Sequence, residues 1–173
     1  MRSLLAAMLL VLAGAAWGSR ELPQPVLGAA PPLRALGEGE MRWFGLHLYD
    51  ATLWVSGERW EPRRAFALDI RYARDISRER LVESSVSEMR RLGYGDEATL
   101  SRWGAAMAGV FPEVRRGDRL VGVHLPGRGA SFFSGDRYLG SVPEDAFAEA
   151  FFAIWLDART REPRLREALL GTR

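Results

Sequence analysis

Residues 37–57, GEGEMRWFGLHLYDATLWVSG, constrain the fold of this chain more than any other stretch. The inner part, Trp43 to Val55, is long, rich in β-branched and aromatic side chains and free of proline, which predicts a strand. Alternation places Trp43, His47, Tyr49, Ala51, Leu53 and Val55 on one face, and Phe44, Leu46, Leu48, Thr52 and Trp54 on the other. Both faces are mostly apolar. A strand of that kind is central and covered twice, by helices or by a second sheet. Arg42 stands at its mouth just after a glycine pair, a place from which a cation faces a cavity.

The chain of 173 residues is long enough for one domain with a sizeable core, and 47% hydrophobic residues with six Trp and eight Phe mark it as globular. The first residues, MRSLLAAMLLVLAGAAWG, carry one early Arg, an uncharged apolar run from Leu4 to Trp17 and small residues at Ala16 and Gly18. This predicts a cleavable signal peptide over 1–18, with cleavage after Gly18 and a periplasmic destination. The run is shorter than the roughly 20 residues a bilayer span needs, and no membrane span is expected after cleavage. Loss of Arg2 lowers the formal charge from +2 to +1. That balance does not point to nucleic acid. Cysteine is absent, which excludes thiol catalysis, thiolate metal sites and disulfides, so the exported chain relies on its core.

Residues 19–32 read as an extended lead-in with an edge strand near Val26, and the domain proper is placed at 33–171. Leu33 to Leu36 is expected to pair with the central strand through a turn at Gly37-Glu38-Gly39-Glu40. Ala65 to Tyr72 gives a further strand with one wet face. Asp75 or Ser77 caps a helix closed by Gly93, and Gly95-Asp96 starts a second whose stripe is Leu100, Trp103, Met107 and Val110 or Phe111. Strands RLVGVHL, ASFFS and RYLGS follow, joined by turns at Pro126–Gly129 and Ser134–Asp136, as a three-strand antiparallel meander. Ser141-Val142-Pro143 is read as a helix start with Pro at its first position. Phe147, Phe151, Ile154 and Trp155 form the apolar face of that helix, and Pro163 to Leu170 forms a last one. The order of elements predicts an α+β fold, a mainly antiparallel sheet with helices on one face.

Several stretches together resemble the chalcone isomerase-like family, in particular its bacterial exported branch. They are GEGEMR, LYDATLW, DIRYARDISRERLVE, VFPEVRRGDRLVGVHLPGRGASFFSGDRYLG, and EDAFAEAFFAIWLD with LREALLG. The resemblance covers roughly Leu33 to Gly171. It implies an open-faced β-sandwich, a large antiparallel sheet with helices over one side and a ligand cleft between them. Plant members cyclise chalcones to flavanones, and related plant proteins without that activity bind fatty acids.

The resemblance also implies site residues. In the enzymes an arginine after the GxG turn stabilises the anion formed during ring closure. Arg42 is its match, with two residues between the second glycine and the arginine where the plant pattern has one. A permanently charged planar fork suits an oxyanion or a carboxylate. The enzymes' tyrosine, lysine and asparagine fall at Ser77, Arg80 and Ser84, and their strand threonine at Tyr49. A serine lacks a phenol's reach and acidity, so the resemblance implies ligand binding without chalcone cyclisation. His47 and His124 lie on separate strands with no acid at ligand spacing, and are read as strand residues with no metal. No nucleophile motif, phosphate loop or cofactor signature is present. Arg63-Arg64 and Arg115-Arg116 are read as solvated.

The leading expectation is therefore an exported binder of an apolar or amphipathic small molecule, such as a fatty acid. Arg42, with Tyr49 and Arg80, would hold its polar end, and Trp43, Phe147, Phe151 and Trp155 would line its cleft. Two alternatives stand beside it: an isomerase or lyase using Arg42 as oxyanion stabiliser, and a non-catalytic structural or partner-binding periplasmic protein.

Overall fold

The computed structural model of the chain describes residues 21–172, and the expected signal peptide lies outside the described residues. Six strands form one open sheet whose spatial order follows the chain, every neighbouring pair antiparallel. They are β1 (Arg34–Trp43), β2 (Leu46–Val55), β3 (Phe66–Tyr72), β4 (Arg119–Leu125), β5 (Gly129–Ser134) and β6 (Arg137–Val142). Five helices accompany them: α1 (Gln24–Ala29), α2 (Arg78–Leu92), α3 (Glu97–Val110), α4 (Asp145–Leu156) and α5 (Pro163–Leu169). This is the α+β architecture that the alternation of strands and helices predicts.

The expected long strand is two strands. Phe44 and Gly45 both have positive φ, 46° and 80°, and close a two-residue hairpin between β1 and β2. Phenylalanine disfavours that conformation, which hides the turn from a sequence reading. Nor is Gly37–Glu40 a turn. It runs through β1, paired with Leu53 to Asp50 of β2. The glycines serve a close approach: a Cβ on Gly37 would overlap the Ala168 carbonyl oxygen, and one on Gly39 would lie 2.8 Å from Leu165 Cδ1. They let α5 lie directly against β1.

Face parity holds along β2. Ala51, Leu53 and Val55 join Phe66, Leu68, Ile70 and Tyr72 of β3 in the larger core, under α2 to α5. Trp54 faces the other way with Ala67, Val121, Val123 and Phe133. That second face is not wet, because Leu22 and Val26 of the N-terminal segment cover it. Val26, fully buried, sits in the short α1 where an edge strand was expected. Arg119 fastens the segment, donating to Asp69 at 2.8 and 2.5 Å and to the Glu21 carbonyl at 2.8 Å.

Helix ends follow local chemistry. Ser77 caps α2 by accepting from Arg80 N, and Asp96 caps α3 by accepting from Thr99 N. Gly93 ends α2 in the left-handed conformation at φ 85°. Asp75 instead accepts from Arg116 N. The start of α4 differs from expectation, since Ser141 and Val142 finish β6 and the helix begins at Asp145. Asp145 then accepts from both Gly127 N and Gly129 N at 3.0 Å, tying the β4–β5 turn to the helix. No described helix is long and apolar enough to cross a membrane.

Candidate functional site

Helix α4 has an apolar face wider than one stripe, and its two flanks meet different surroundings. On the first flank Phe147, Phe151 and Trp155 succeed one another at helical spacing, with centroids 5.7 and 5.3 Å apart. Phe132 of β5 closes on Phe151 at 5.3 Å. Trp155 Nε1 donates to Tyr49 Oη at 2.9 Å. Burial raises the pKa of Tyr49 well above the usual phenol range, despite that bond, and burial does the same to neighbouring Tyr72. This flank is filled.

The second flank borders a cavity of about 730 Å³. Ala148, Phe152, Ala153 and Leu156 line it from α4, Phe66 from β3 and His124 from β4, Trp60, Pro62 and Arg63 from the β2–β3 loop, and Pro126 from the β4–β5 turn. Phe66 and Phe152 meet edge to face at 4.8 Å, and His124 lies over Phe66 at 5.0 Å. Polar groups ring this apolar interior. Asp145, Glu149, Asp157 and Tyr94 complete the lining, with Tyr94 Oη donating to Asp157 at 3.3 Å. The Arg159 guanidinium holds Asp157 down at a pKa of about 2. Burial, with the Asp157 charge and hydrogen bond, pushes Tyr94 upward. Burial lowers the His124 pKa, against the opposing pull of the Gly129 backbone, Asp145 and the Pro62 backbone.

The expected site residues divide between places. Tyr49, Phe147, Phe151 and Trp155 come together, but in the filled flank. Arg42 and Trp43 lie at the β1–β2 hairpin, where Arg42 is half exposed and its fork is taken by Glu40 at 2.7 and 3.0 Å. That hydrogen bond raises Arg42 and lowers Glu40 in pKa. Ser77 is the α2 cap, Ser84 donates to the Leu81 carbonyl, and Arg80 is exposed on α2. None of the nine lines the cavity.

The hairpin also corrects the expectation that no acid stands near a histidine. Pairing of Glu40 with Asp50 brings both carboxylates to His47, whose Nε2 is 2.9 Å from Asp50 Oδ1, and the three donor atoms lie within 4.8 Å of one another. Arg42 already engages both oxygens of Glu40.

Of the cavity residues, Trp60, Arg63, Phe152 and His124 went unsingled by sequence reasoning as ligand contacts. His124 carried a signal. Along β4 it shares its parity with Leu120 and Gly122, whose side faces the helices, so it is a polar residue at a position the pattern makes apolar.

A single open antiparallel sheet with helices banked on one face and a cavity at their junction defines an open-faced α+β sandwich. The model of the chalcone isomerase-like family matches residues 43–171, and the chain belongs to that family. Among solved structures, the chain is similar to a fatty-acid binding protein of Arabidopsis thaliana, with a TM-score of 0.61 and 13% identity over 81% of this chain and 87% of that one. At that identity the likeness establishes the fold. No curated protein sequence matches the chain.

Proposed function

We propose that this is an exported, periplasmic protein that binds a fatty acid or a similar amphipathic carboxylate in the cavity beside α4, without chalcone cyclisation. The observation that carries the reading is the cavity itself: about 730 Å³, walled by Phe66, Phe152, Ala153 and Leu156, with a few polar groups set among them. That is the size and lining of a small-molecule site. Burying about ten methylenes at roughly 0.8 kcal/mol each supplies about 8 kcal/mol, enough for micromolar affinity before the cost of ordering the chain. The similar fold of a plant fatty-acid binding protein supports the same ligand class. The isomerase alternative needs Arg42 free to meet an oxyanion, and Glu40 competes for that fork.

The test is a titration of the mature chain with saturated fatty acids, repeated on Ala153→Phe, which puts a ring into the cavity. Binding at micromolar concentration, weakened at least tenfold in the variant at unchanged melting temperature, is the expected outcome. Equal affinity in both proteins would place the ligand elsewhere.

A further inference from the structure

Two residues of the cavity lining each carry a buried polar atom that the protein leaves without a partner. His124 is only 7% exposed, and its Nδ1 is buried with no hydrogen bond; Trp60 Nε1 is buried and unpaired in the same way. Both residues line the cavity and both pack on Phe66, at 5.0 and 6.0 Å between centroids. An unpaired buried polar group destabilises a fold, and a leucine at 124 would continue the β4 pattern without that cost. Elsewhere on the helix side of the sheet, Trp103 Nε1 reaches Glu144 at 3.1 Å and Trp155 Nε1 reaches Tyr49. Trp54 Nε1, on the opposite face, is also unpaired but lines no part of the cavity. Trp60 alone would therefore mean little. A nine-tenths buried histidine beside it, in a cavity of ligand size, sets it apart from Trp54.

The charges around the cavity matter as much. Asp145, Glu149 and Asp157 face it from α4 and its end, Arg63 from the β2–β3 loop and Tyr94 from the α2–α3 link. Asp145 is held by two backbone amides and Asp157 by Arg159. Arg63 makes no hydrogen bond or ion pair among the described residues. Three carboxylates against one guanidinium make the lining acidic, so a ligand carboxylate cannot enter it as a bare anion without a compensating proton.

We propose that the ligand enters carboxyl group first, that Trp60 Nε1 and His124 Nδ1 are its polar anchors, and that one proton is taken up from solvent with each carboxylate bound. The proposal rests on the fatty-acid reading above and adds the orientation and chemistry of the head group. The proton balance is simple. A neutral imidazole and a carboxylate acquire one proton between them, shared across the hydrogen bond as imidazolium and carboxylate or as imidazole and carboxylic acid. Trp60 donates to the carboxyl oxygen in either case. Burial favours a neutral His124 before the ligand arrives.

The probe is laurate, titrated into the intact mature chain by calorimetry in two buffers of different ionisation enthalpy, near pH 7 and near pH 8. Uptake of close to one proton is expected, with affinity falling about tenfold per pH unit as linkage requires. His124→Phe should bind laurate at least tenfold more weakly while dodecanol affinity changes little, and Trp60→Phe should bind more weakly while keeping the uptake and the pH slope. Dodecanol, on the unaltered protein, should bind with no uptake and no pH slope, which keeps the test valid if His124→Phe does not fold. Laurate binding with no proton uptake and no pH dependence would overturn the head-inward orientation and leave the fatty-acid reading standing. No laurate binding at all would overturn both.

Discussion

The two flanks of α4 are both apolar, one of large rings and one with small side chains among them, and they are treated in opposite ways. On the flank of Phe147, Phe151 and Trp155 the rings interlock, and the partly buried indole nitrogen finds the Tyr49 hydroxyl. On the flank of Ala148, Phe152 and Ala153 small side chains leave a cavity, and His124 Nδ1 and Trp60 Nε1 find nothing. A core under selection for stability alone would close both sides, since interiors approach crystal density and satisfy their polar groups. The contrast separates a part of the molecule that holds the fold from a part that has room for something else.

Deleting a ring should break the contrast most strongly. Phe151→Ala removes the centre of the packed flank, and a loss of about 3–5 kcal/mol is expected from chemical denaturation. A loss below about 1 kcal/mol would mean that this flank is as open as the other. Next comes Tyr49→Phe, which leaves the partly buried Trp155 Nε1 without its acceptor. It should cost about 1–3 kcal/mol and leave laurate affinity unchanged. A large fall in affinity would return Tyr49 to the ligand site.

The smallest effect belongs to the rim of the open flank. Asp157 is held at about 2 in the folded protein against an ordinary 3.8, so its pairing with Arg159 contributes stability above about pH 4 that is lost as pH falls toward 2. Arg159 is 63% exposed, and solvent screening limits the effect to less than about 1 kcal/mol. Thermal melts of Asp157→Asn against the parent should therefore differ near neutral pH and converge near pH 2. A constant difference would assign the effect to something other than this carboxylate's charge.

Much of the fold was legible because its signals are local. The turns at Pro126–Gly129 and Ser134–Asp136 delimit β4 to β6, and Ser77, Gly93 and Asp96 sit at helix ends as their side chains and backbone preferences require. What was not legible depends on distant partners. Glycines at 37 and 39 suggest a turn until α5 is seen lying on them, and a phenylalanine at a hairpin tip gives no turn signal. The candidate site divides in the same way. The aromatic periodicity of α4 was visible, but which flank stays open depends on where the Trp60 loop comes to rest. Only His124, a polar residue at apolar parity, carried a local signal of the cavity, and that signal reads in sequence as an ordinary strand residue.

Native mass spectrometry with solvent extraction tests the central claim most directly, applied to the mature chain, Arg42→Ala and Ala153→Phe purified side by side. The account predicts a stoichiometric fatty acid on the parent and on Arg42→Ala, and none on Ala153→Phe. Retention by Ala153→Phe with loss from Arg42→Ala would contradict it and move the ligand to the hairpin end of the sheet.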